Sequence, residues 1–267
     1  SRMRPEALWV AAPVLLLWAA SPALMWWLGR PRPRPRSNLD ESQVQFLGRL
    51  ARRTWAFFET HVTAADHWLP PDNVQEHPTL VIARRTSPTN IGLSLLADLA
   101  AYDFGYLPMG GMIERTANAL RTLETLPRYR GHFYNWYDTQ TLEPLPPHYI
   151  SAVDSGNLAG HLLTLRQGLL GLRDAPILSP CTFRGLSDTF GLVVEATQPE
   201  PASDAMRAIA TALPAACREP PRTLDDAWRV LADLETHAAD LMAGPDAGSG
   251  EAAHWAHAFA AHCVAAR

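Results

Sequence analysis

Residues 7–28, ALWVAAPVLLLWAASPALMWWL, run for 22 positions without a charged side chain. As a helix rising about 1.5 Å per residue, such a run reaches roughly 33 Å, enough to cross a hydrocarbon core about 30 Å thick. It therefore reads as a membrane span. A secretory signal would carry a shorter apolar region and a small-residue cleavage site, whereas this run ends in Trp26-Trp27-Leu28 and a basic flank. Pro13 and Pro22 are tolerated in membrane helices, and Trp9, Trp26 and Trp27 stand near the two ends, where indoles prefer the interface. The competing reading is a buried core helix. Arg30, Arg32, Arg34 and Arg36 alternate with prolines after the span, against Arg2 and Arg4 before it. This positive-inside bias places the following domain in the cytoplasm. Alternating Pro and Arg also make a stiff, self-repelling spacer suited to lifting a domain off an anionic leaflet, although a plain stop-transfer signal reads the same way.

The expected organisation is a membrane segment at 1–29, a Pro/Arg linker at 30–37 and a helical domain at 38–267. A formal charge of −4 gives no basic excess for nucleic acid. Cys181, Cys217 and Cys263 are widely spaced, odd in number and without a CxxC pair. That excludes a disulfide framework and a zinc knuckle and fits a reducing compartment. Asn38 or Asp40 can cap a helix over about 39–62, whose Val44, Phe46, Leu47, Leu50, Trp55 and Phe58 fall on one broad face. WLPPDNVQEHP is too rich in proline for regular structure. Ser87 then caps a helix with Pro88 in its first turn and Gly105 at its stop. Another helix covers 108–126, Asp154 or Ser155 starts one running to about 171, and more are expected near 181–197, 203–217, 223–243 and 249–266. The soluble part is mainly α. Antiparallel helices with long loops make a bundle, a solenoid or a helical toroid, and the absence of a fixed-period repeat weighs against a solenoid.

The stretch GHFYNWYDTQTLEPLPPHYISAVDSGNLAG, residues 131–160, interrupts this pattern. Loops of such length usually have a function, and these side chains suit sugars: flat aromatics for pyranose faces, Asp and Asn for hydroxyls. Phe133, Tyr134, Trp136 and Tyr137 offer area at low entropic cost, and Asn135, Asp138, Asp154 and Asn157 offer directional polar contacts. The bland alternative is a short β-hairpin around Thr139–Thr141, with Phe133 and Trp136 plugging a helical core. Asp154 has its own modest alternative as a helix N-cap. In TSPTN, Asn90 is either part of a cap and turn or, with Arg84 and Arg85, part of the cleft of a toroid.

RRTSPTNIGLSLLADLAAYDFGYL followed by RYRGHFYNWYDTQTLEPLPPHYISAVDSGNLAGHL closely resembles the segment of cyclic β-1,2-glucan synthases that follows their membrane-embedded glycosyltransferase domain. The resemblance implies a large bacterial inner-membrane protein. In it, a glycosyltransferase part polymerises glucose from UDP-glucose, a middle (α/α) toroid related to β-1,2-glucanases closes the ring by transglycosylation, and a phosphorylase-like domain trims chain length. This chain then looks like the last membrane helix of the first part joined to the N-terminal half of the middle part, a fragment inactive alone. Its implied partners are a β-1,2-glucan chain, the bilayer through residues 7–28 and the other domains of the same synthase. No DxD-type motif, QxxRW-like motif or Gly-rich phosphate loop appears, so no cofactor or nucleotide-sugar site is expected here. The competing function is a non-catalytic helical scaffold or carbohydrate-binding module.

Ring closure by retention needs two carboxyl groups about 5 Å apart, one raised in pKa. The resemblance puts the acid and nucleophile in the later half of the toroid, beyond Arg267. Asp138 and Asp154 are accordingly assigned to substrate positioning or support. The substrate-binding set is Arg85, Asn90, Tyr134, Asn135, Trp136, Tyr137, Asp138, Asp154 and Asn157. His254, His257, His262 and Cys263 do not share one helical face at metal-ligand spacing, so no metal is expected. Glycosylation-site mapping should find residues 7–28 integrated in the membrane, with an acceptor engineered at position 40 left unmodified. Modification there would put the domain in the lumen or periplasm and overturn the orientation.

Overall fold

A computed structural model describes residues 5–30, 38–176, 178–179, 181–197, 203–244 and 250–267; most of the Pro/Arg linker, 31–37, lies outside these. The chain divides into two units, Ser1–Asp40 and Glu41–Arg267. In the first, helix α1 covers Pro5–Leu28. Its stretch Ala11–Leu28 is long and apolar enough to cross a membrane, and none of it is buried in the protein. The core-helix alternative is therefore not what the structure has. Pro22 removes the N–H that the Trp18 carbonyl would otherwise accept from, and the Ser21 hydroxyl donates to that carbonyl instead, at 2.8 Å. Such local repair is how a proline is accommodated where water is absent.

The second unit is mainly α. Helices α2 (Glu41–His61), α3 (Pro88–Phe104), α4 (Met109–Thr125), α5 (Ala152–Gly171), α6 (Thr182–Ala196), α7 (Asp204–Arg218), α8 (Leu224–Ala243) and α9 (Glu251–Ala266) follow in order. Their bounds lie within about two residues of those expected. The Ser87 hydroxyl accepts from Asn90 N, Pro88 opens α3, and Gly105 closes it at φ +80°. Helix α5 differs: its N-cap is Ser151, whose hydroxyl accepts from Asp154 N, so neither Asp154 nor Ser155 is the cap. The proline-rich segment also contains more order than expected. Strand β1 (Val74–Gln75) pairs antiparallel with β2 (Val81–Ile82). Strand β3 (Arg85–Thr86) pairs with β6 (Tyr137–Asp138), and β4 (Arg128–Tyr129) pairs with β5 (His132–Phe133).

Among the described residues the buried apolar side chains form two large cores and a small third one, Trp55, Ala101 and Tyr106, between α2 and α3. One large core is built by α6–α9 around Leu186, Leu192, Ile209, Leu234 and Phe259. The other joins α3, α4 and α5 through Ile91, Leu95, Leu123, Leu158 and Leu165, with Tyr137 of β6 inserted among them. They meet where the end of α3 crosses α6. A Cβ on Gly105 would lie 2.1 Å from the Cys181 carbonyl oxygen, and one on Gly185 would lie 2.2 Å from that of Gly105, so neither position has room for a side chain.

Beside this crossing lies Arg52, wholly buried. Its Nε donates to Thr189 Oγ1 at 2.9 Å and its Nη2 pairs with Glu59 at 2.9 Å, while Tyr106 and Trp255 flank the guanidinium. His262 of α9 places Nε2 at 2.8 Å from the Gly105 carbonyl and Nδ1 at 3.3 Å from Thr189 Oγ1. Burial, reinforced by the Arg52 charge, pushes His262 down to about 3 even though the Gly105 bond pulls the other way. The folded pKa is thus below the unfolded one, and the unfolded chain takes up the proton first. His262 contributes stability above the ordinary histidine range and loses it as pH falls, at about 1.4 kcal/mol per pH unit between roughly pH 6.5 and 3. Denaturant titration of the full chain in mild detergent should show this slope below pH 6.5. His262→Gln should be less stable at neutral pH and flatter below it; an unchanged slope would refute the assignment.

Candidate cleft at the N-termini of two packed helices

The β3–β6 ladder sets Arg85 opposite Asp138 and Thr86 opposite Tyr137. It draws the segment preceding α3 onto the aromatic stretch preceding α5, and α3 and α5 pack against each other. Their first turns consequently lie side by side. The Asp154 carboxylate, in the first turn of α5, accepts from Thr89 Oγ1 at 2.7 Å across the gap. Asn157 Nδ2, one turn further along, donates to the same Thr89 hydroxyl at 3.1 Å.

Asn135 completes the cluster. In the amide orientation that its neighbours require, its nitrogen donates to Asp154 Oδ2 at 2.9 Å, and its oxygen accepts from Trp136 Nε1 at 2.9 Å and from the Tyr149 hydroxyl at 2.6 Å. Its backbone N–H donates to the Tyr149 carbonyl at 2.9 Å, so loop 133–149 is held at both its side chain and its main chain. On the other side of Trp136, the Arg85 guanidinium lies 4.9 Å from the indole ring centroid. Asp72 fixes Arg85, accepting from Nε at 3.1 Å and Nη2 at 2.9 Å, and also accepts from Asn90 Nδ2 at 3.3 Å.

Arg85, Asn90, Asn135, Trp136, Asp154 and Asn157 are therefore linked in one region, through Asp72, Thr89 and Tyr149, which sequence reasoning did not single out. The remaining three expected residues stand differently. Tyr137 is fully buried, its hydroxyl donating to the Pro127 carbonyl and accepting from Tyr134 N, so no face is left for a ligand. It, rather than Phe133 or Trp136, is the aromatic most deeply inserted into the core. Tyr134 packs against Tyr137 and His148. Asp138 closes its own turn, accepting from the backbone N–H groups of Gln140 and Thr141 at 2.8 Å each. The hairpin around Thr139–Thr141 is thus present, bridged between Tyr137 and Pro144.

Burial raises both carboxyls, but hydrogen bonds outweigh it: Thr141 and Gln140 N–H groups bring Asp138 below its ordinary value, and Ser151, Thr89 and Ser87 do so for Asp154. A glycosidase proton donor needs the opposite shift. The cluster instead presents ionised or amide acceptors, hydroxyls and one indole.

No family model matches the chain. Over 138 residues, 52% of its length, the chain is 46% identical to the cyclic beta-(1,2)-glucan synthase NdvB of Rhizobium meliloti (strain 1021). The resemblance read from its motifs is thereby shown, although the chain spans only 5% of that relative's length. A putative glucoamylase from Bacteroides fragilis aligns with 62% of this chain and 41% of its own at 18% identity and a TM-score of 0.40, too distant a likeness to carry an argument.

Asn135→Ala strips partners from Asp154, Trp136 and Tyr149 at once and should cost about 2 kcal/mol in a denaturant titration, while Asn157→Ala, exposed and bonded only to Thr89, should cost under about 0.5. Equal losses would mean that Asn135 is not the cluster's anchor.

Proposed function

We propose that this chain supplies a glucan-binding cleft to a membrane-bound cyclic β-1,2-glucan synthase, where it helps hold the chain for ring closure by transglycosylation. The observation that carries this reading is the 46% identity to such a synthase over half of the chain. The polar cluster around Asp154 and Asn135, with Trp136 beside it, supports it by offering the groups that sugar hydroxyls and a pyranose face require. In this reading α2–α9 are the N-terminal part of an (α/α) toroid, Arg85, Asn90, Asn135, Trp136, Asp154 and Asn157 line or brace the cleft, and α1 anchors the domain on the cytoplasmic side of the inner membrane. Asp154 positions substrate, Asp138 supports the turn of the loop that carries Trp136, and the reacting carboxyls come from elsewhere in the synthase.

A scaffold role is favoured by one specific observation. Arg85 Nε and Nη2, Asn90 Nδ2 and the Asn135 amide nitrogen each already donate within the protein. A cluster so satisfied can serve simply to lock two loops together. The two readings differ in what Trp136 does. In a full-length synthase, Trp136→Ala should lower cyclic product by about tenfold, roughly 1.4 kcal/mol of transition-state positioning, while UDP-glucose consumption changes little. Equal loss of both would favour the scaffold.

A further inference from the structure

The first half of α2 turns an apolar face outward. Val44, Phe46, Leu47 and Leu50 are each between 46% and 58% exposed. At about 100° per residue they fall within an arc of roughly 160°. Gly48 and Arg52, on the other side, are buried. A surface helix ordinarily buries its apolar side and shows polar groups to water. Here the inward side carries an arginine, and the outward arc carries aliphatic and aromatic groups with Gln43 as a polar residue among them. The arc continues into an open groove of about 360 Å³ between α2 and α3, whose walls include Leu47, Leu50, Phe58, Ala97, Ala100 and Phe104. Among the described residues nothing covers it, and an exposed contiguous patch of this kind marks a surface that meets something apolar.

The sequence indicates what that is. Only twelve residues, Gly29–Asp40, separate α1 from α2, and an extended chain of that length reaches at most about 45 Å. Within this interval stand Arg30, Arg32, Arg34 and Arg36. A bilayer interface matches both features, since apolar side chains enter the headgroup–acyl boundary while arginines meet lipid phosphates. A second copy of the chain or a foreign helix could cover the apolar arc, but neither is held near it as the bilayer is by a tether of twelve residues. We propose that the Val44–Leu50 face of α2 lies in the bilayer interface, docking the helical domain against the membrane as well as tethering it there. This rests on α1 being a span.

The test uses the full chain reconstituted in vesicles of mixed phosphatidylcholine and phosphatidylglycerol. Cys181→Ser and Cys217→Ser leave Cys263, which is buried and whose thiol burial pushes up to about 12, as the only native cysteine. Spin labels are then placed singly at Phe46→Cys, at Leu50→Cys, at Thr60→Cys as an exposed control on the same helix, and at Leu17→Cys in α1. Labels at 46 and 50 should show a nickel-chelate accessibility several-fold lower, relative to oxygen, than the label at 60. If 17 is lipid-shielded but 46 and 50 match 60, the docking is refuted and the span stands. If 46 and 50 exclude both reagents, a protein occupies the face and the proposal falls. If 17 is itself open to the chelate, the span reading fails and takes this inference with it.

Discussion

One carboxylate ties together the parts of the chain that carry the candidate cleft. Asp154 has no cationic partner in the hydrogen bonds it makes; it is met by the Thr89 hydroxyl from α3 and the Asn135 amide from the loop. Its own N–H is meanwhile taken by Ser151. Being in the first turn of α5, it also benefits from the partial positive charge of a helix N-terminus. Neutral donors and a helix end can hold an anion ionised without a salt bridge, and they do so directionally. Three segments far apart in sequence are thereby fixed by a single side chain. The placement of Trp136 follows from it, because the indole N–H bonds to the same Asn135 that reaches Asp154.

The opposite side of the unit solves a harder problem. Arg52 is a buried cation whose one carboxylate partner, Glu59, is partly exposed. Isolated, it would cost several kcal/mol of desolvation. Thr189 Oγ1 accepts from Nε and the faces of Tyr106 and Trp255 flank the guanidinium, while Nη1 has no hydrogen-bond partner among the described residues. The same charge helps keep His262 neutral, so that the imidazole bridges Gly105 and Thr189 rather than adding a second cation. The two glycines at the crossing make this possible by letting α3's last turn approach α6 closely enough for the Gly105 carbonyl to reach α9.

What was legible in the sequence was local. The Ser87–Pro88 start and the Gly105 stop of α3 are written in adjacent residues, and so is the apolar helix α1, whose signal is length without charge. The start of α5 was also local but was misread, since Asp154 or Ser155 was expected and Ser151, an equally good cap by residue type, is the one used. In the structure the Ser151 hydroxyl accepts from Asp154 N, three residues on, as an N-cap does. What escaped was set by pairing across about fifty residues. Whether Trp136 or Tyr137 turns inward depends on β6 meeting β3 in this register, because successive strand side chains point to opposite faces. Asp72 likewise acquires meaning only when Arg85 and Asn90 are brought to it, and no spacing rule connects those three.

The division of labour between the carboxyls follows from their partners. Asp138 spends one oxygen on two backbone N–H groups of its own turn, and Asp154 accepts hydroxyl and amide donors on both oxygens. Each bond favours the ionised form, and the bonds together exceed the burial that would favour the acid. A group so stabilised has no proton to donate near neutral pH. It does retain lone pairs, because a carboxylate offers about four acceptor sites. An acceptor held rigidly, beside an indole braced by Arg85, can receive a further donor without rearranging, and that is worth more than the contact alone because the ordering cost was met in folding. The hydrogen bonds that make Asp154 a poor acid are therefore those that hold it and Trp136 in place as a fixed polar and apolar pair.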